Sequence, residues 1–134
     1  MAEPLFLGID VGTSGVKAIL VAPTGDVVAT ATSPLTISTP RPGWAEQDPA
    51  AWWQASITSI HAVLRATPNA DVSAVGISGQ MHSSVFLDRA GDVIRPALLW
   101  CDGRTTAECA EITQRVGGEV RLRDLACNPA LEEQ

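Results

Sequence analysis

Apolar and polar positions change period several times along the chain, and each change marks an element. Leu5-Phe6-Leu7-Gly8-Ile9 is an unbroken apolar run ending at Asp10, the pattern of a fully buried strand. Val11-Gly12-Thr13-Ser14-Gly15 supplies two glycines for a tight turn, and Val16 to Ala22, which carries Lys17, reads as a second strand. Pro23-Thr24-Gly25-Asp26 is another turn, and the β-branched run from Val27 to Thr32 is a third strand, completing an antiparallel meander. Pro34 to Pro49 holds four prolines and Gly43, and reads as loop. Asp48-Pro49 then has the form of a helix start, with Asp as N-cap and Pro at the first helical position. Trp53, Ile57, Ile60 and Leu64 follow at helical spacing and predict the apolar face of that helix, which Pro68-Asn69 ends.

Beyond it, Val72 to Ser78 reads as a buried return strand running into Gly79-Gln80-Met81-His82. Ser83 to Leu87 predicts a fifth strand, Asp88 to Asp92 a hairpin turn, and Pro96 to Trp100 a short extended run. A helix is expected over Thr105 to Arg115, stopped by Gly117-Gly118. Three antiparallel strands, a helix and a return strand predict an α/β fold whose sheet is covered by helices.

Composition narrows the partners more than the fold. A formal charge of −6 with only nine Lys and Arg in 134 residues argues against a nucleic-acid surface. A phosphorylated ligand would have to be held locally, by backbone N–H groups and one or two cations. No segment approaches the roughly 18 unbroken apolar residues of a membrane span, and Met-Ala-Glu-Pro lacks a basic signal-peptide start. The three cysteines, Cys101, Cys109 and Cys127, form no CxxC pair, and a reduced cytoplasm is the expected compartment.

Three segments carry candidate chemistry. In Asp10 to Lys17, a glycine turn presents backbone N–H groups to phosphate oxygens. Gly12 allows close approach, Thr13 and Ser14 add hydroxyls, and Lys17 adds a cation. Asp10 repels phosphate, so its sensible partner is Mg²⁺, directly or through coordinated water. GxxxxGK[ST] is missing, so this is not a P-loop, and the plainer alternative is a hairpin with Asp in its turn. Gly79-Gln80-Met81-His82 ends a strand that would open beside Asp10, where ligands of open α/β sheets gather. His82 can hydrogen-bond a sugar hydroxyl and Met81 can form an adaptable wall; packing plus a surface imidazole is the alternative. In Trp100-Cys101-Asp102-Gly103-Arg104, Asp102 could cap the next helix and Trp100 could be core. His61 and the Trp52-Trp53 pair read as structural.

Four blocks together resemble the FGGY carbohydrate kinases. They are Leu7 to Lys17, the Gly43-Trp44-Ala45-Glu46-Gln47-Asp48-Pro49 block with Trp52-Trp53, Gly76 to His82, and Pro96 to Arg104. The last two are similar to the xylulokinase members in particular, and the likeness runs from about residue 5 to about residue 131. It implies a partial amino-terminal lobe of the ribonuclease-H-like (actin/hexokinase-like ATPase) fold. It also implies phosphorylation of D-xylulose with ATP and Mg²⁺ as cofactors. Met81 and His82, and with them Trp100, Asp102 and Arg104, would bind the sugar. Asp10 would serve metal and phosphates, and Gly12, Thr13, Ser14 and Lys17 would form the phosphate loop. Glycerol kinases carry Arg-Glu at the Met81-His82 place, so a neutral pair implies a bulkier ketose.

Cys101 stands where Asn or Gln is common. The family's catalytic aspartate lies in a GGGD-type segment that nothing here matches, and the adenine pocket belongs mainly to a carboxyl-terminal lobe. Cys127 to Leu131 looks like the family, whereas Glu132-Glu133-Gln134 does not continue it. The expectation is a chain that stops within a domain, is inactive alone, and self-associates through an uncovered sheet. Three rivals remain at this stage: a non-catalytic sugar- or partner-binding module, a kinase for another ketose or polyol, and an actin-like nucleotide-binding fragment.

Overall fold

The computed structural model describes residues 3–126, so the Cys127–Leu131 resemblance lies outside the described residues. Strands β1 (Pro4–Val11), β2 (Gly15–Val21) and β3 (Val27–Pro34) form the expected meander. A short β4 (Glu46–Gln47) leads into helix α1 (Pro49–Ala66), and β5 (Asp71–Gly79) returns. Then come β6 (Ala97–Leu98), α2 (Thr106–Val116) and α3 (Glu119–Ala126). The main sheet has the order β3-β2-β1-β5, with β5 parallel to β1 and the other pairs antiparallel. A parallel return needs a crossover, and α1 supplies it. β4 and β6 pair as a separate two-stranded ribbon.

The Asp48 side chain accepts a 2.9 Å bond from the Ala50 N–H and so caps α1, as its sequence predicts. The buried face of α1 differs from the periodic one. Ala55, Ser59 and Val63 meet the sheet, while Trp53 is 67% exposed. Ile60 and Leu64 pack at the margin of the core. Small side chains explain the rotation, because Ala55 and Ser59 let the helix sit close against the strands. There the Ser59 hydroxyl reaches the Val16 carbonyl at 2.9 Å and Ser33 Oγ at 2.8 Å. Leu5, Leu7, Ala18, Leu20 and Val63 form the core beneath it.

Among the described residues only this one face of the main sheet is packed by a helix. β1 is therefore not fully buried as its apolar run predicts: it alternates, with Leu5 and Leu7 inside and Phe6 outside. β5 departs further: Val75 and Ile77 pair with Leu7 and Ile9 and so share the α1 side of the sheet, yet they are 55% and 76% exposed, because α1 lies chiefly over β2 and β3. Ser83 to Leu87 forms no strand. Only isolated bridges pair Ser84 with Leu98 and Leu87 with Val93, so no continuous ladder develops between them. The expected turn is present, its Asp88 carboxylate accepting from the Ala90 and Asp92 N–H groups at 2.8 and 2.9 Å. Gly117, at φ 98°, ends α2 in the left-handed conformation that favours glycine. α3 went unpredicted because its eight residues carry four charges and little apolar period. No helix among the described residues is long and apolar enough to cross a membrane.

Candidate functional site

Because β1 and β5 run parallel, their carboxyl ends open on one edge, and the loops that follow them meet there. The Gln80 N–H donates to the Val11 carbonyl at 2.9 Å, which carries the pairing one residue past the strand. Gly79 permits that approach, since a Cβ there would lie 3.0 Å from the Val11 carbonyl oxygen. The hairpin turn between β1 and β2 closes through the Gly12 N–H, 3.1 Å from the Gly15 carbonyl.

The result is a cleft of about 430 Å³ bordered by Asp10, Gly12, Thr13, Met81, His82 and Trp100. Six of the residues singled out in the sequence thus line one hollow. Met81 and Trp100 are 72% and 60% exposed, presenting apolar surface to it. His82 adopts a left-handed φ of 62°, uncommon for a residue with a side chain and of the kind that collects at binding sites. Past His82 and Trp100 a smaller hollow of about 160 Å³ continues to Ser84, Asp102 and Thr105. Asp10 also borders a second space of about 390 Å³ on the open sheet face, together with Lys17, Ser78 and Ile77. Asp10 accepts from Ser78 Oγ at 2.9 Å and lies opposite Lys17 in the strand register. Lys17 therefore faces the second space rather than the cleft, and Ser14 is exposed outside both.

The Thr13 hydroxyl is not the free donor its sequence context suggests. It donates to Gln80 Oε1 at 2.9 Å and accepts from the Trp100 indole N–H at 3.1 Å. Its single proton is committed, which leaves backbone N–H groups as the donors the turn can offer a phosphate.

Asp102 and Arg104 bind each other. Asp102 accepts from Arg104 Nη2 at 2.6 Å, Arg104 Nε at 2.8 Å, the Arg104 N–H at 2.9 Å and the Ala45 N–H at 2.7 Å. Arg104 Nη2 also pairs with Glu46 at 2.7 Å, as does Arg95, and the Arg104 guanidinium lies 3.7 Å from the Trp44 ring centroid. Asp102 caps no helix: Thr105 stands at the N-cap of α2. The Arg104 guanidinium holds the Asp102 carboxyl far below the usual carboxylate range; burial opposes this, and the Ala45 and Arg104 backbone N–H groups add to it. The pair locks the Trp100–Arg104 turn against the loop that leads into α1.

Asp102→Ala is expected to cost about 2 kcal/mol, because the Ala45 N–H loses its acceptor and the guanidinium a charged partner. A carboxyl depressed on folding contributes stability above its unfolded value near 3.9, and loses it as pH falls toward the folded one. The stability gap between wild type and Asp102→Asn should therefore be full at pH 7 and shrink below about pH 4 in urea melts. A gap of the same size at pH 7 and pH 2.5 contradicts the assignment.

Two residues of the site carry no signal of their own in the sequence. Gln47, 3% exposed, donates to the Thr13 carbonyl at 2.7 Å and accepts from the Trp52 indole N–H at 2.9 Å. Gln80 Nε2 reaches the same Gln47 oxygen at 3.3 Å. Both glutamines stand in segments the sequence singles out, but neither breaks a hydrophobic period or stands at a cap, so only the folded arrangement reveals their bonding role. Among the described residues Cys101 and Cys109 are exposed free thiols, and no group of three or more His, Cys, Asp or Glu could hold a metal ion.

Residues 5–129 match the family model described as FGGY family of carbohydrate kinases, N-terminal domain. The chain is 49% identical over 112 residues to xylulose kinase of Escherichia coli strain K12, covering 84% of this chain and 23% of that one. It is 47% identical over 118 residues to xylulose kinase of Klebsiella pneumoniae, covering 88% and 24%. The crystal structure of xylulose kinase from Rhodospirillum rubrum superimposes with a TM-score of 0.81 at 36% identity, over 84% of this chain and 24% of that one. The chain thus spans about a quarter of the length of the relatives it matches.

Proposed function

The chain belongs to the FGGY family of carbohydrate kinases, whose N-terminal domain it matches, and on that basis we propose that it serves ATP-dependent phosphorylation of D-xylulose to D-xylulose 5-phosphate. One observation carries the reading: Asp10 stands between the Met81–His82–Trp100 cleft and the space that Lys17 borders. That is the place for a group shared by a sugar and a phosphoryl donor. Met81 and the Trp100 ring cover the carbon face of the pentulose, and the His82 imidazole hydrogen-bonds one of its hydroxyls. Asp102 and Arg104 hold the Trp100 turn that shapes the sugar side. The turn at Thr13 and Ser14 offers backbone N–H groups to the phosphates, Gly12 allows their close approach while its own N–H stays on the Gly15 carbonyl, and Lys17 is the nearby cation.

A Mg²⁺ ion usually keeps several waters and takes one or two carboxylates plus substrate phosphates, so a single Asp10 is a sufficient protein ligand. Bound there, it would neutralise charge on the transferring phosphoryl group. Positioning and electrostatics dominate phosphoryl transfer, and the proton acceptor for the sugar hydroxyl is assigned to the remaining three quarters of a relative-sized enzyme. The 134-residue chain by itself is expected to show no xylulose-dependent ADP release. The reaction is placed in the cytoplasm, where free thiols such as Cys101 and Cys109 stay reduced.

The substrate class can be tested in a composite enzyme in which residues 5–129 of this chain replace the matching segment of the E. coli xylulose kinase. His82→Ala in that enzyme should reduce the preference for D-xylulose over glycerol by about 10-fold or more, as loss of a hydrogen bond to a substrate hydroxyl does. An unchanged ratio of kcat/KM returns His82 to packing. The same reading makes Val75 and Ile77 a face that is covered in the longer enzyme, so the chain alone should self-associate. Sedimentation velocity showing only monomer up to about 100 μM would contradict that, since contacts of a stable kind hold at micromolar concentrations.

A further inference from the structure

The buried Gln47 amide is engaged at both ends. Its Nε2 donates to the Thr13 carbonyl at 2.7 Å and, at a longer 3.4 Å, to the Thr36 carbonyl. Its Oε1 accepts from Trp52 Nε1 at 2.9 Å and from Gln80 Nε2 at 3.3 Å. Gln80 closes the circuit, its own Oε1 accepting from the Thr13 hydroxyl at 2.9 Å and from Ser83 Oγ at 3.2 Å. Ser83 Oγ in turn accepts from the Trp100 N–H at 3.2 Å. One planar amide therefore touches the turn after β1 with its nitrogen and the segment after β5 with its oxygen, and Trp52 of α1 fixes its place. Filling space would not need an amide here, and the β4–β6 ladder uses only the backbone of Gln47.

We infer that Gln47 is a positioning residue that ties the phosphate turn to the sugar wall, so that the two move as one body. A rigid two-ended group transmits displacement: if the Thr13 carbonyl shifts, the Gln47 amide turns and Gln80 must follow or lose its partner. Breaking either end leaves a buried polar group unpaired, which the structure resists. The names of the two sides rest on the sugar-kinase reading; the tie itself does not.

Hydrogen exchange of the 134-residue chain, read by mass spectrometry on peptides spanning residues 10–15 and 79–84, tests it. Gln47→Met keeps length and apolar volume but removes all four bonds of the amide, and should speed exchange in both peptides by about tenfold, equal to about 1.4 kcal/mol of local opening. Peptides from β2 and β3 should stay as in wild type. Gln47→Glu keeps the acceptor but cannot donate to the Thr13 carbonyl, and because the tie is broken at one end it too should speed exchange in both peptides, by less than Gln47→Met does. Exchange like wild type in Gln47→Met, or faster exchange in one peptide alone, overturns the inference. If Gln47→Met fails to fold, Trp52→Phe replaces it: loss of the indole anchor should loosen both peptides together, and no change in either overturns the tie. Adding D-xylulose to wild type should slow exchange in both peptides. No slowing there counts against the sugar reading, while the variants still decide the tie.

Discussion

Asp10→Asn in the composite enzyme is expected to lower kcat and kcat/KM together, each by about 100-fold, while the KM for D-xylulose stays within about threefold. The substitution keeps the size of the side chain and its ability to accept from Ser78 Oγ, so the strand end should hold its shape. What it removes is the negative charge between the two hollows. A charge whose interaction is felt chiefly while the phosphoryl group transfers shows in kcat rather than in KM. A kcat within a factor of about two of the parent would reduce the Asp10 turn to a structural hairpin. A raised KM at unchanged kcat would make Asp10 a sugar ligand instead.

Leu20→Ala should destabilise the 134-residue chain by about 3 kcal/mol, within the usual range for a fully buried leucine, and lower Tm by about 10 °C. Leu20 is fully buried, pairs with Leu7 across the β1–β2 ladder and packs in the cluster that holds Val63. Because helix cover among the described residues lies on one face of the main sheet, few other contacts can compensate for the cavity. Trp53→Ala, by contrast, should stay within about 0.5 kcal/mol of wild type, as exposed positions usually do. Thermal melts of the two variants side by side decide which face of α1 meets the sheet. Equal losses would restore the face suggested by the Trp53-Ile57-Ile60-Leu64 spacing.

That contrast shows where sequence reading succeeds and where it stops. The meander, the α1 cap at Asp48 and the return strand all follow from local chemistry: apolar runs, glycine turns and an Asp-Pro start. The helix face does not, because periodicity weights large apolar side chains, whereas close packing on the sheet favours the small Ala55 and Ser59. Apolar runs also overstate burial. The β5 pattern reads as a covered strand, yet Ile77 lies open in this chain. At the site, Asp10, Gly12, Met81 and His82 border one hollow, as their places at a glycine turn and a strand end suggest, although neither signal is specific without the likeness to the FGGY blocks. Asp102 and Arg104 were legible as a motif, but the bond from Arg104 to Glu46 and the one from the Ala45 N–H to Asp102 were not, since partners so far apart in sequence leave no local mark. Gln47 and Gln80 needed the fold itself.

The central claim is that this segment equips an FGGY enzyme to phosphorylate D-xylulose, and ADP release by the composite enzyme measures it most directly. With saturating ATP and Mg²⁺, D-xylulose should drive turnover in the range of about 1–100 per second typical of kinases, with kcat/KM well above that for glycerol. A composite that folds and melts like its E. coli parent, yet releases no D-xylulose-dependent ADP or prefers glycerol, would contradict the account.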